Sequence, residues 1–244
     1  MIRIRAVNTA ADRENKIHDD RVAAEYGFKG GLVPGVTIYG YLAEGALEHF
    51  GPAWLERGAM DVRFQDPVYD GDEVNVSVHP LDNGRISIES GFATATAWMH
   101  DNPVPALRSK RSLNSRLPAA VDSLPPGTIL GSLEKSLDLA QSRMSAPLDP
   151  AIGPDRLAHP AILLALANQV FIDNYELGPW IHASSEVRKF SSAKDGETIS
   201  VHAKIEDRFE RKGHEFVILD VLIAAGPRIV ESVRHTAIWR PRIP

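Results

Sequence analysis

Two stretches of this chain alternate apolar and polar positions in the same way. Behind one Asp-Gly pair, Val74, Val76 and Val78 alternate with polar residues; behind another, Ile199, Val201 and Ala203 do the same. Period-two alternation after a turn signal predicts a half-buried β-strand in each place. The flanking segments "MDVRFQDPVYDGDEVNVSV" (60–78) and "SEVRKFSSAKDGETISVHA" (185–203) align without a gap. Val62 and Val187, Asp70 and Asp195, and Val76 and Val201 each stand 125 residues apart.

The same offset relates two segments with a longer period. "VPGVTIYGYLAEGALEHF" (33–50) and "AHPAILLALANQVFIDNY" (158–175) are apolar on most sides for about four turns, which predicts a largely buried helix in each half. Pro or Gly stands at each start, as suits a helix N-terminus. Strands are also predicted over "RISIESGFATATAW" (85–98), "VPALRSKRSL" (104–113), "EFVILDVLIAA" (215–225) and "RIVESVRHTAIW" (228–239). The Pro-rich "LPAAVDSLPPG" (117–127) reads as a linker. The organisation is therefore two α+β halves, 1–116 and 131–244, joined by 117–130. In each, an antiparallel sheet wraps one long apolar helix and buries it.

Composition narrows the function classes. The 244 residues are 43% hydrophobic and 24% charged, which suits a packed globule. A net charge of −5 gives no reason to expect nucleic acid. The absence of cysteine excludes disulfides, thiolate metal sites and a cysteine nucleophile. No apolar run approaches the roughly 18 residues of a membrane span, and the N-terminus lacks a signal-peptide core, so a cytoplasmic location is expected. His79, His100, His182, His202, His214 and His235 show no metal-ligand spacing, so no metal is expected.

The segment "NKIHDDRVAAEYGF" (15–28) supplies Asn15, His18 and Asp20, followed by Phe28, Leu32 and Gly35. Further on, "RFQDPVYDGDEV" carries Phe64, Pro67, Val68, Gly71, Asp72 and Val74. Together these resemble the MaoC-like branch of the hot-dog proteins, the R-specific enoyl-CoA hydratases and related dehydratases, over roughly residues 12 to 80. The resemblance implies a double hot-dog in one chain, an acyl thioester of coenzyme A or acyl carrier protein as substrate, and no cofactor. It implies that His18 works in acid–base catalysis with Asn15 and Asp20, and that Pro34, Gly35 and Phe28 bind substrate, a backbone N–H near Gly35 polarising the thioester carbonyl. Two positions depart from the family pattern. Its carboxylate, five residues before the histidine, is Arg13 here, flanked by Asp12 and Glu14; its helix-start histidine is Pro34.

Other residues support other readings. Asp20 is equally an N-cap for "RVAAEYG". Glu44 and Glu48 align with Gln169 and Asp173, each pair at i, i+4 on its helix. A carboxylate or amide there suits an acyl-CoA thioesterase that activates water through Glu44 or Gln169. A non-catalytic acyl-binding hot-dog is the third reading. His159, at the start of the second helix, reads as a capping or packed histidine. Gly30-Gly31 reads as a flexible turn, and Arg108, Lys110 and Arg111 as an exposed basic strand face able to meet phosphates. Exposed sheet edges leave room for a homodimer.

Overall fold

A computed structural model describes residues 1–144 and 147–243. In chain order the elements are β1 (Ile2–Arg5), α1 (Asp20–Glu25), α2 (Gly35–Phe50), α3 (Trp54–Arg57), β2 (Gly58–Phe64), β3 (Glu73–Pro80), β4 (Ile86–Glu89), β5 (Ala93–Met99), β6 (Leu117–Pro118), β7 (Leu133–Ser136), β8 (Ala151–Ile152), β9 (Leu157–Ala158), α4 (Pro160–Asn174), β10 (Tyr175–Glu176), β11 (Ile181–Lys189), β12 (Thr198–Arg211), β13 (His214–Ala225) and β14 (Arg228–Arg240). Among the described residues, ten strands form one continuous antiparallel sheet in the order β1-β3-β4-β5-β2-β11-β14-β13-β12-β7. The two Asp-Gly turns behave alike: Gly71 has φ 82° and Gly196 φ 81°, a conformation that glycine adopts without steric cost.

The halves join edge to edge through β2 and β11. In that ladder Asp61 faces Glu186, its own counterpart 125 residues on, so the pseudo-twofold axis passes between them. Like charges directly opposite destabilise a sheet. Here Arg188 donates to Asp61 at 2.6 Å and Arg234 reaches Glu186 at 3.4 Å.

Helices α2 and α4 lie against the sheet and against each other. An unbroken run from Ile38 to Ala43 is buried in α2, as the all-round apolar pattern requires. Two glycines set how closely α2 can pack. A Cβ on Gly45 would stand 2.9 Å from Val78 of the sheet, and one on Gly40 would stand 3.1 Å from Ala161 of α4.

Two strand expectations need correction. Residues 85–98 are two strands, because Gly91 turns the chain at φ 78° between β4 and β5. These match β13 and β14, which turn at Gly226. The first half has thereby used its strands by Met99, and β5 already has β4 and β2 as neighbours, so "VPALRSKRSL" forms no strand. It carries no secondary structure of its own and contacts the second half of the sheet through side chains. Arg108 donates to the Asp220 carbonyl at 2.8 Å and pairs with the Asp220 carboxylate, and Lys110 pairs with Glu134 at 2.7 Å. The first two basic residues of this segment are thus committed to acidic partners rather than forming a free basic face. The 117–127 segment is also docked: Leu124 is fully buried, and the Ser123 carbonyl accepts from the Tyr175 hydroxyl at 2.8 Å.

Candidate active site

The sequence from Thr9 to His18 forms a loop that ends in a single 3₁₀ turn, Lys16–His18. Asn15 caps the turn, its Oδ1 accepting from the Ile17 N–H at 3.3 Å. The same side chain reaches the other half: Nδ2 donates to the Trp180 carbonyl at 2.9 Å and Oδ1 accepts from the Trp180 N–H at 3.2 Å. Asn15 is buried and so is Trp180.

His18 is fixed by the segment that leads into α2. Its Nδ1 lies 2.7 Å from the Leu32 carbonyl oxygen, which can only accept, so Nδ1 carries the proton. Nε2 is then the basic nitrogen, approached at 3.4 Å by the Asn15 amide Nδ2–H. Burial pushes the His18 pKa below the usual imidazole range, partly offset by the bond to Leu32. The ring is therefore neutral at physiological pH, with Nε2 unprotonated and only loosely contacted by the Asn15 amide.

Gly31 is not a flexible turn. A Cβ there would fall 2.0 Å from the His18 carbonyl oxygen, so only glycine lets the two strands of the loop approach. Asp20 accepts from the Gly31 N–H at 2.7 Å and makes no bond to His18. The N-cap of α1 is Asp19, which accepts from the Val22 N–H at 3.0 Å. Asp20 thus neither orients the histidine nor caps the helix; it holds the glycine against which the His18 loop rests.

A cavity of about 530 Å³ opens beside this loop. Asn15, His18, Pro34, Val36 and Thr37 line it from the first half, and one face of α4 from Ala161 to Ile172 lines it from the second. Its rim is charged, with Arg13, Glu14, Lys135, Asp138 and Arg143. Its buried wall is apolar, with Leu137, Leu148, Ala161, Leu166 and Trp180. The N-terminus of α2 faces it through Pro34 and Val36. The N–H groups of a helix's first turn have no intrahelical acceptor, and the helix dipole adds partial positive charge there. Thr37 and Ile38 donate back to the Pro34 carbonyl, and Val36, one residue into the helix, lines the cavity. Gly35 itself does not line it: a Cβ there would stand 3.0 Å from the buried His182 ring.

Neither carboxylate flanking Arg13 completes a pair with His18. Asp12 is bound by Arg143 at 2.9 Å, and that guanidinium holds its carboxyl below the usual carboxylate range. Glu14 is taken by Arg116. The helix residues expected for a thioesterase also separate. Gln169 lines the cavity, with Nε2 donating to Asp173 at 2.7 Å. Glu44 does not line it: its Oε1 accepts from Nε2 of the buried His159 at 2.9 Å, while His159 Nδ1 accepts from the Ala161 N–H and caps α4. Phe28 does not line it either, packing instead beside Ile17, Ala23 and Leu32. Of the α4 face the sequence nominated Gln169, which does line the cavity; Arg143, Trp180 and the rest of that face were not named, because no pattern near His18 points to residues more than 120 positions away. Among the described residues no group of three or more acidic or histidine side chains is placed to hold a metal.

No family model and no curated protein matches the sequence. Solved structures do match over nearly the full length. A protein from Chloroflexus aurantiacus assigned as a MaoC-domain dehydratase shares 10% identity at a TM-score of 0.62, covering 99% of this chain and 94% of its own. A conserved Mycobacterium tuberculosis protein described as a double hot-dog shares 14% at 0.58, covering 97% and 95%. The chain is a double hot-dog. A third match, assigned as an oleoyl thioesterase of Lactobacillus plantarum, shares 12% at 0.54, covering 99% and 96%. At such identities the likeness concerns the fold, and a double hot-dog hosts more than one chemistry, so function must be argued from the site itself. In this double hot-dog the cavity lies where the first half's loop meets the second half's helix.

Proposed function

We propose that this double hot-dog binds acyl thioesters in the cavity and hydrates a 2-enoyl thioester, or dehydrates the 3-hydroxyacyl thioester, with His18 as the acid–base residue. The observation that carries this is the 2.7 Å contact of His18 Nδ1 with the Leu32 carbonyl oxygen, which leaves Nε2 as the basic nitrogen of a ring lining the same cavity as the start of α2. In the hydration direction Nε2 takes a proton from water as the water oxygen bonds to C3. The C2–C3 π electrons move onto the thioester oxygen, where the Val36 N–H group and the α2 dipole stabilise the charge. The imidazolium then returns its proton to C2, which regenerates the base. One residue thus serves both transfers, which answers the pairing of Asp12 and Glu14 with arginines. Every group in the scheme belongs to the chain.

The likeness to a dehydratase fold is compatible with this reading, and Glu44's bond to His159 weighs against hydrolysis through that carboxylate. Incubation with crotonyl-CoA and with butyryl-CoA tests it. The expected result is loss of enoyl absorbance without release of thiol, and none of that loss in His18→Ala. Thiol release from both esters would replace hydration with hydrolysis.

A further inference from the structure

One leucine of the cavity's buried wall has an unusual seat. Leu148 is 5% exposed and lines the cavity. It sits in a notch that only glycine leaves open: a Cβ on Gly40 would fall 2.7 Å from Leu148 Cδ1, 3.1 Å from the Ala161 Cβ and 3.3 Å from His159 Cε1. Ala161, which also lines the cavity, forms the other side of the notch. Ala165, one turn further along α4, continues the small-residue wall. Behind the notch lies the Glu44–His159 pair, one turn beyond Gly40 on α2. Leu148 therefore packs between this cavity and the Glu44–His159 pair, neither member of which lines it.

We infer that Leu148 is the depth stop of the cavity and sets the longest acyl chain it accepts; this rests on the acyl-thioester reading of the same site. The thioester head lies at His18 and the α2 N-terminus, and the charged rim faces the carrier. The apolar tail then runs along α4 past Leu166 and Ala165 and ends on Leu148. The stop is backed on one side, because interiors are close-packed and Cδ1 lies against Gly40 between Ala161 and His159. Leu148→Ala removes three side-chain carbons and opens room for roughly two further methylenes, which lower the dissociation constant of the longer ligand by about tenfold. Gly40→Ala acts in the opposite sense. The new methyl takes the place of Leu148 Cδ1 and drives the leucine into the cavity.

The test is the affinity of saturated even-chain acyl-CoAs from butyryl to palmitoyl, which cannot undergo the hydration step, measured by titration calorimetry. Wild type, Leu148→Ala, Leu148→Met and Gly40→Ala are compared, each first shown folded by its cooperative melt. The expected result is a length optimum two carbons longer in Leu148→Ala, little changed in Leu148→Met, and shorter in Gly40→Ala. An unchanged optimum in folded Leu148→Ala overturns the depth stop, whatever Gly40→Ala does; should Gly40→Ala fail to fold, the other two variants still decide. Absence of binding by wild type to every chain length overturns the acyl-thioester reading and the depth stop with it. Binding with a shifted optimum but no hydration activity keeps the stop and sinks only the reaction.

Discussion

The side-chain amide of Asn15 and the backbone amide of Trp180 pair in both directions across 165 residues of sequence, at 2.9 and 3.2 Å. This pair ties the His18 loop of one half to the cavity wall of the other, beside the Asp12–Arg143 ion pair. Asn15→Ala leaves a buried N–H and a buried C=O without partners, a loss of about 1–3 kcal/mol for each group not reached by water. Urea unfolding should show a lower midpoint at unchanged slope, and turnover should fall because the loop loses its anchor. An unchanged midpoint would mean that water takes over both groups.

Gly31→Ala should cost activity more than stability. The added methyl meets the His18 carbonyl oxygen and must displace the loop. A misplacement of about 1 Å in a reacting group can cost roughly 100-fold in rate. Steady-state kinetics should therefore show a fall in kcat well beyond any change in melting temperature.

The hydration rate should be insensitive to pH near neutrality and fall on the acid side. His18 works unprotonated, and burial places its pKa below the ordinary imidazole value, so the active form persists to lower pH than an exposed histidine would allow. A kcat/KM profile that already declines below pH ~7 would contradict this. His18→Ala should lose the general acid–base contribution, about 10²–10⁴-fold.

Stability should fall in acid because of a second histidine set. His182 Nε2 lies 2.8 Å from Ser185 Oγ, which lies 3.1 Å from His235 Nδ1, and both rings are buried. Burial lowers the His235 pKa to about 3, and burial with the neighbouring His235 pushes His182 well below its usual value. The unfolded chain, with histidines near pH ~6.5, binds protons that the folded chain refuses. The stabilising contribution is thus complete above that pH and lost as pH falls toward the folded value, by up to about 1.4 kcal/mol per pH unit for each histidine. Unfolding free energies measured from pH 7 to pH 4 should slope accordingly, and less steeply in His235→Phe. An identical slope in that variant would remove His235 as the cause.

Lys189 and Glu231 form a buried ion pair at 2.9 Å. Lys189→Met alone strands a buried carboxylate and should cost about 3–5 kcal/mol, whereas Lys189→Met with Glu231→Leu should recover much of it. A double-mutant cycle by denaturant unfolding measures the coupling. Additive losses would show that the pair is not coupled.

Much of the architecture was legible in residue order. The 125-residue repeat, the two apolar helices and the Asp-Gly strands all appear where the alternation put them, because burial on one face or on all faces writes its own period into the sequence. The strand split at Gly91 was missed because a lone glycine inside an alternating run reads as well for a bulge as for a turn. At the site, the His18 loop and the start of α2 stood out as a local cluster. The roles of Asp20 and Glu44 did not, since a short carboxylate serves a backbone N–H, a cap or a histidine equally well, and only neighbours in space choose among them.

The sequence by itself determined the double hot-dog pattern, the pseudo-symmetry and the candidate base, all of which depend on positions close along the chain or related by one constant offset. Tertiary structure alone decided the His18 tautomer, the arginine partners of Asp12 and Glu14, the α4 wall of the cavity and the seat of Leu148 against Gly40. Those depend on which surfaces meet when the halves pack, and contacts between residues more than a hundred positions apart leave no period for a single sequence to display.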